Sequence, residues 1–402
     1  LALGTLSQLQ EALLLIEKTN GDVIDVSRIN FEDEAVYDML CAGDTIGIFQ
    51  VESAAQMQTL PRIRPRNLTD MAHEVGCVRP GVGVHDGIRK YILRRSERET
   101  VTFDHPLEQR ALERTLGIVL FQDQLNQLAI DVGGFSPYEA DQMRRAFTKK
   151  YANTQEINKY WLRFRQGAIE KGATAKEALK IFRKFNGHYM FPEAHAVAFG
   201  VTSYQLAWLK LYYPLQFMTA LFNQQPMGFW GLETLKEDCK RHGVSIINPD
   251  INFSEPECII ENGAIRLGFV NVLQIGKTTA QLITDERRSG GLYQSLSEFM
   301  SRTRIKREMI EKLIQSGAFD SLENNRRSAL WETGLRYRPS SIQLPMDLPV
   351  EQDMAQLPCM SRWELISGEY QTLNMHPGSH LLQELRPYLP SDILSSAALH
   401  HM

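Results

Sequence analysis

A chain of 402 residues with 43% hydrophobic and 23% charged side chains has enough apolar surface for two or three domains of ordinary size, which excludes a disordered or fibrous class. The formal net charge of -4 argues against a generic nucleic-acid coat protein, whose whole surface is basic. Apolar runs fall short of a membrane span, so no transmembrane helix and no membrane partner are expected. Five scattered cysteines with no Cys-x-x-Cys pair point away from a zinc site or disulfide framework and toward reduced thiols in a cytoplasm. Residue 1 is Leu, with no basic-then-apolar leader after it, so a truncated chain without a signal peptide is expected.

In chain order, apolar spacing predicts a helix over 5–18, stopped by Asn20-Gly21, and a short helix around 32–42. Residues 46–51 (IGIFQV) read as a buried strand or apolar turn, and 60–100 as mixed loop and helix. Residues 116–121 (LGIVLF) read as a strand and 122–132 as a helix. The next helix has the strongest start signal: Ser136 caps, Pro137 takes the first position and Glu139 completes a capping box. Ala140, Met143 and Phe147 form its apolar stripe. Two more helices are expected over 156–185, then one from Pro192 to Tyr213 with Val197, Val201, Tyr204, Trp208 and Leu211 on its core face. A helix and an Asn/Pro-rich loop fill 226–253. A strand pair or loop and several short helices fill 258–320, with two helical hairpins conceivable between 267 and 320. Residues 336–362, Pro- and Gln-rich and without period, read as a linker.

Several constellations carry chemistry. Helix 137–150 places Arg144, Arg145, Lys149 and Lys150 within seven residues, a local grip for phosphate, with bidentate geometry from Arg and a point charge from Lys. The same run also suits a solvated charged face. In FPEAHAVAFG, His195 lies in the first helical turn, where the dipole disfavours an ionised imidazole and backbone N–H groups suit an anion; a structural histidine is the bland reading. GIFQVES puts Gln50, Glu52 and Ser53 at the end of an apolar stretch, and Arg79-Pro80-Gly81 is a stiff turn presenting one cation. Basic clusters at 62–66, 89–98 (including Arg94 and Arg95) and 302–307 suit phosphate-backbone contacts. Residues 267–283 have the shape of a helix-hairpin-helix, with Gly276, Lys277 and Thr278 offered to a DNA phosphate; Gln274 stands where such hairpins carry their first Gly. No Asp-x-Asp pair and no Gly-rich phosphate loop occur.

The ordered series GIFQVES, VRPG, LGIVLFQDQ, ADQMRRAFTKK, FPEAHAVAFG, YYPLQFMTALFNQQPMGFW and INPDIN resembles the alpha subunit of bacterial DNA polymerase III, a C-family polymerase, from the palm end through the fingers. QPMGFW and RHGVSIINPDIN resemble its error-prone branch most. The resemblance implies a mainly α fold with minor β (α+β): fingers over 1–225 with a palm-end segment at 1–20, and a helix-hairpin-helix DNA-binding region over 226–335. It further implies a linker over 336–362 with a sliding-clamp motif of Gln343, Met346 and Leu348, and a helical lead-in to an OB domain over 363–402. It implies a bacterial, cytoplasmic DNA-directed DNA polymerase of replication or repair. Primer-template DNA, deoxynucleoside triphosphates, the clamp and other accessory subunits are the implied partners. Arg144, Arg145, Lys149 and His195, with Gln50, Ser53 and Arg79, map to incoming-nucleotide positions. The catalytic carboxylates and the Mg²⁺ they hold are expected outside these residues, leaving the chain alone inactive. Rival readings are a non-catalytic DNA-binding or clamp-associated module, and a hairpin-type glycosylase using Asp285 or Lys277.

Overall fold

The computed structural model describes residues 2–78, 87–148, 154–185, 190–337, 355–390, 392–394 and 398. The chain divides into two compact units, one of Leu1–Val23 with Tyr213–Met402 and one of Ile24–Tyr212. Both are built from helices, and the described residues contain one small sheet of three strands, which bears out the expected mainly α class.

Side-chain caps set several helix starts in the unit Ile24–Tyr212. Asp33 caps Glu34–Cys41, Ser53 caps Ala54–Ile63, Asn67 caps Leu68–Cys77 and Thr174 caps Ala175–Arg183, each accepting a first-turn N–H. One apolar core gathers Phe147, Phe164, Phe182 and Phe185 under the helices Pro137–Thr148, Thr154–Glu170 and Ala175–Arg183. Thr154–Glu170 crosses close to the end of Gln122–Asp131, because Gly167 has no side chain; a Cβ there would lie 1.9 Å from Gly133 O. Arg163 and Lys171 then satisfy the terminal carbonyls, Lys171 Nζ at 2.9 and 2.8 Å from Ile130 O and Asp131 O. A second core joins Ala72, Val75, Tyr91, Phe121, Phe191 and Ala196.

The strand expected at 116–121 is absent from the described structure, and of the strand or apolar turn expected at 46–51 the turn is found. Residues 46–51 form successive turns: Ile48 N–H donates to Thr45 O at 3.0 Å, and Thr45 Oγ1 donates to Val51 O at 2.7 Å. Residues 116–121 begin with Leu116 at φ 55 and Gly117 at φ 79. The Gln124 side chain accepts from the N–H groups of Leu120 and Phe121 at 2.8 and 3.1 Å, as a strand partner would. The helix Glu193–Tyr212 is where the sequence places it, but its buried residues are Ala196, Gly200, Ser203, Tyr204, Leu206, Ala207, Leu209 and Lys210. Of the five expected core residues only Tyr204 is buried. Close approach to Leu68–Cys77 explains this: a Cβ on Gly200 would lie 3.2 Å from Ala72 N, so small residues line the seam. Lys210 of this helix is fully buried, with Nζ 2.8 Å from Asp44 Oδ1 and 3.1 Å from Ile46 O.

In the other unit, Ala2–Asn20 packs along Pro214–Asn223. Gln216 Nε2 donates to Thr19 Oγ1 and Asn20 Oδ1 at 2.8 and 2.9 Å, and Asn223 Nδ2 to Glu11 Oε1 at 2.6 Å. Residues 1–23 therefore group with 213–402, whereas the domain bounds expected from sequence put them with the fingers. β1 (Ser245–Ile247) pairs parallel with β3 (Ala264–Arg266), and β2 (Ile259–Glu261) pairs antiparallel with β3. Asn262 and Gly263, both left-handed, make the β2–β3 turn. The helices Lys277–Gly290, Leu296–Thr303, Arg307–Gln315 and Arg326–Arg336 follow. A buried ion network fastens the last helices: Arg326 binds Asp320 and Glu369, and Glu369 also contacts His376 Nδ1.

Candidate nucleotide and DNA sites

The helix Pro137–Thr148 starts as predicted. Ser136 N–H donates to Glu139 Oε2 at 2.8 Å, and Glu139 N–H to Ser136 Oγ at 3.3 Å. Ala140, Met143 and Phe147 are buried, which turns Asp141 and Arg145 away from the core and leaves Arg144 flanking the apolar stripe. Asp141 serves both cations: Oδ1 accepts from Arg144 Nη2 and Oδ2 from Arg145 Nε, each at 2.7 Å. Arg144 Nη1 also donates to Gln122 Oε1 at 3.0 Å. Arg144 Nε is buried and finds no hydrogen-bond partner among the described residues. Hydrogen bonding to Arg144 holds the Asp141 carboxyl below its usual range, and Arg145 adds to the effect. The Arg144 side chain is only 17% exposed and Arg145 is 64% exposed. Arg144 is thus fixed from two sides, while Arg145 reaches solvent. Neither cation stands bare, since both meet a carboxylate of their own helix. The pair of exposed Arg145 with Asp141 is screened by solvent and weak, so a multiply charged anion can displace it.

His195 lies in the first turn of Glu193–Tyr212 and is exposed. Its ring stands edge-on to Phe199 at 4.0 Å and Phe191 at 5.1 Å. The anion suited to this helix start is supplied by the protein itself. Asp123 Oδ2 accepts from Glu193 N–H at 2.7 Å, and Arg114 grips the Glu193 carboxylate at 2.8 and 2.9 Å.

Gln50 sits in the left-handed region at φ 65, and its carbonyl accepts from Gln56 Nε2. Phe49, beside it, is edge-on to Phe199 at 5.2 Å, so this turn abuts the helix that carries His195. Ser53 has a structural job: with Gln56 it forms the capping box of Ala54–Ile63, donating to Gln56 Oε1 at 2.7 Å. Contacts thus run from Arg144 through Gln122, Phe191, His195, Phe199 and Phe49 to Gln50. Arg79 and Lys149 lie outside the described residues.

Arg94 and Arg95 are not brought to this chain of contacts, and they are committed inside the fold. Arg94 bonds Glu99 at 3.0 Å and Leu116 O at 2.7 Å. Arg95 makes a bidentate pair with Asp70 at 2.8 and 2.6 Å and also donates to Ile63 O at 2.5 Å. These partners occupy Nε and Nη1 of Arg94 and all three nitrogens of Arg95. The cluster Arg89, Lys90 and Arg98 on the same segment is exposed.

In the other unit, the hairpin at 272–278 has the predicted tight turn, preceded by a single 3-10 turn at Phe269–Asn271. Gln274 adopts φ 70, the conformation for which other hairpins use Gly. Ile275 is buried, and Gly276 starts Lys277–Gly290 with no side-chain cap. Gly276, Lys277 and Thr278 are exposed, with Lys277 Nζ 3.9 Å from Glu257. The sequence reading left a second example undeveloped: Arg304 at φ 48, buried Ile305, then Lys306 starting Arg307–Gln315 without a side-chain cap. The signal was an Ile between a polar residue and a basic helix start, recurring thirty residues on. The clamp-motif residues Gln343, Met346 and Leu348 lie outside the described residues.

Two-metal phosphoryl transfer needs clustered carboxylates. Within each unit, the described residues bring no three His, Cys, Asp or Glu ligand atoms within 4.8 Å of one another, so they do not suit such a centre. Among the described residues no helix is long and apolar enough to cross a membrane.

One helical unit carries a capped cationic helix linked through Gln122 to the start of a histidine helix, and the other carries a helix-hairpin-helix turn. Residues 5–172 match the bacterial DNA polymerase III alpha subunit finger domain, and residues 243–329 match a helix-hairpin-helix motif. The chain belongs to this alpha-subunit family of DNA polymerases. It is 38% identical over 399 residues to an error-prone DNA polymerase of Nocardia farcinica, covering 96% of this chain and 35% of that protein. Error-prone DNA polymerases of Bordetella bronchiseptica and Mycobacterium tuberculosis are 34% and 36% identical, each over 99% of this chain and over 38% and 37% of their own lengths. The chain therefore spans little more than a third of these relatives.

Proposed function

We propose that this chain supplies incoming-nucleotide and DNA binding to a template-directed DNA polymerase of the error-prone kind. Arg144 and Arg145 hold the triphosphate, and His195 stands beside them as a hydrogen-bonding imidazole. Fixed cations there would offset the charge that develops on the leaving pyrophosphate. The observation that carries this reading is the geometry of one capped helix: two guanidiniums on one carboxylate, one of them held toward the start of the histidine helix by Gln122. Gln50 is assigned to the same site on the contact of its turn with the histidine helix through Phe49 and Phe199, and Ser53 supports that turn through the helix it caps. Arg79 and Lys149 extend the proposal from sequence alone.

The hairpin at Gly276, Lys277 and Thr278 takes a DNA phosphate through first-turn N–H groups and the Lys277 ammonium. A divalent ion, proposed as Mg²⁺, would activate the attacking hydroxyl and shield the phosphates, held by carboxylates that the described residues do not gather. The 402-residue chain mixed with Mg²⁺, primer-template and nucleotides is accordingly expected to give no extension. Replication or repair as the role, the sliding clamp as a partner through Gln343, Met346 and Leu348, and a cytoplasmic location belong to the same proposal.

Arg145→Ala tests the triphosphate role, because an exposed side chain can be removed without opening a core. Losing one charge-assisted contact should weaken deoxynucleoside triphosphate binding by about tenfold or more. An unchanged dissociation constant would refute the role.

A further inference from the structure

We propose that Gln122 is a positioning residue, setting the Arg144 guanidinium relative to the histidine helix; this rests on the triphosphate reading of Arg144. Gln122 is the first residue of Gln122–Asp131 and works in two directions. Its backbone N–H donates to Phe191 O at 3.2 Å, in the segment leading to His195. Its side-chain Oε1 accepts from Arg144 Nη1 at 3.0 Å. Its neighbour Asp123 holds Glu193 N–H at 2.7 Å. One helical turn therefore yokes the start of the histidine helix to the cationic helix. Arg144 without this acceptor would keep Asp141 alone, a bond to its own helix that cannot fix it against His195. Only 17% of the Arg144 side chain is exposed and its Nε is buried without a partner among the described residues. The guanidinium is therefore pinned by side-chain acceptors rather than by bulk water, and losing one of two frees its rotation.

The test is a double-mutant cycle on the whole chain, with dATP as the probe and thermal unfolding recorded for every variant. Gln122→Leu removes the acceptor and keeps the backbone N–H. It should weaken dATP binding by about tenfold in the parent, the worth of one hydrogen bond to a charged group. In an Arg144→Ala background the same change should alter binding by less than about twofold, since the residue acts through Arg144. A fold-only role predicts a lower melting temperature with equal binding losses in both backgrounds, and that overturns the proposal. So does an unchanged affinity in Gln122→Leu when Arg144→Ala weakens binding. If Arg144→Ala itself has no effect, the triphosphate reading fails and takes this proposal with it. Gln122→Met, which keeps length and flexibility, carries the same cycle should Gln122→Leu not fold.

Discussion

Arg95→Ala separates a structural role from the DNA contact that the sequence suggested. The Arg95 side chain is 25% exposed and its partner Asp70 only 9%. Besides both guanidinium contacts, the Asp70 carboxylate accepts the Arg66 N–H at 2.9 Å. Truncating Arg95 leaves that carboxylate almost buried with one backbone donor, and strips Ile63 O and Arg64 O of theirs. Breaking a buried pair by removing one partner costs about 3–5 kcal/mol. The Arg66 N–H and the partial exposure of Arg95 argue for the lower end, about 3 kcal/mol. In a unit of this size each kcal/mol lowers the melting temperature by about 2–4 °C, so a fall of about 6–12 °C is expected by circular dichroism. Removing both charges, in Arg95→Leu with Asp70→Leu, should cost less than Arg95→Ala alone, because no orphaned charge remains. A melting temperature within about 2 °C of the parent, together with a loss of DNA affinity, would refute the reasoning and restore the DNA contact.

Glu52 and Glu74 are both pushed by burial from 4.5 up to about 7. The folded chain then holds protons that the unfolded chain releases, so the stability these groups add is complete below pH 4.5 and is lost as pH rises from 4.5 through about 7. The effect is on the order of 3 kcal/mol per group at most; urea midpoints that rise over that interval would contradict it, and Glu74→Gln should flatten the slope. Gln274→Gly relieves a left-handed backbone and should raise stability by about 1 kcal/mol; a loss in chemical unfolding would show that the Gln side chain matters more than its φ. Gly167→Ala forces a Cβ toward Gly133 O and should cost about 2 kcal/mol or more by the same measurement. Lys277→Ala should reduce the slope of log affinity against log salt for DNA by about one unit, and an unchanged slope would remove Lys277 from the phosphate contacts.

Local signals were the legible part of this chain. Ser136, Pro137 and Glu139 act within one helical turn, so the start of the cationic helix could be read directly, as could the stop at Asn20-Gly21. The strand expectation failed at 116–121 because backbone N–H groups there are satisfied by the Gln124 side chain, and at 46–51 the sequence left strand and turn open, since short apolar runs do not reveal their partners. The capping role of Ser53 was legible too, since its spacing to Gln56 spells a capping box. The face of Glu193–Tyr212 was misjudged because large apolar residues were counted, when the close approach at Gly200 demands small ones. Arg94 and Arg95 looked like free cations because Asp70 and Leu116 O, 25 and 22 residues away, are invisible to composition. Pairing of Glu11 with Asn223 lies beyond any local rule. Within the site, the cations were legible and the groups that aim them, Asp141 and Gln122, were not, since a carboxylate or an amide carries no motif.

The most direct measurement is a crystal structure of the chain soaked with a non-hydrolysable deoxynucleoside triphosphate. Phosphate oxygens about 2.9 Å from the Arg144 and Arg145 guanidiniums, with His195 alongside, are predicted. A triphosphate bound elsewhere, with both arginines still closed on Asp141, would contradict the account.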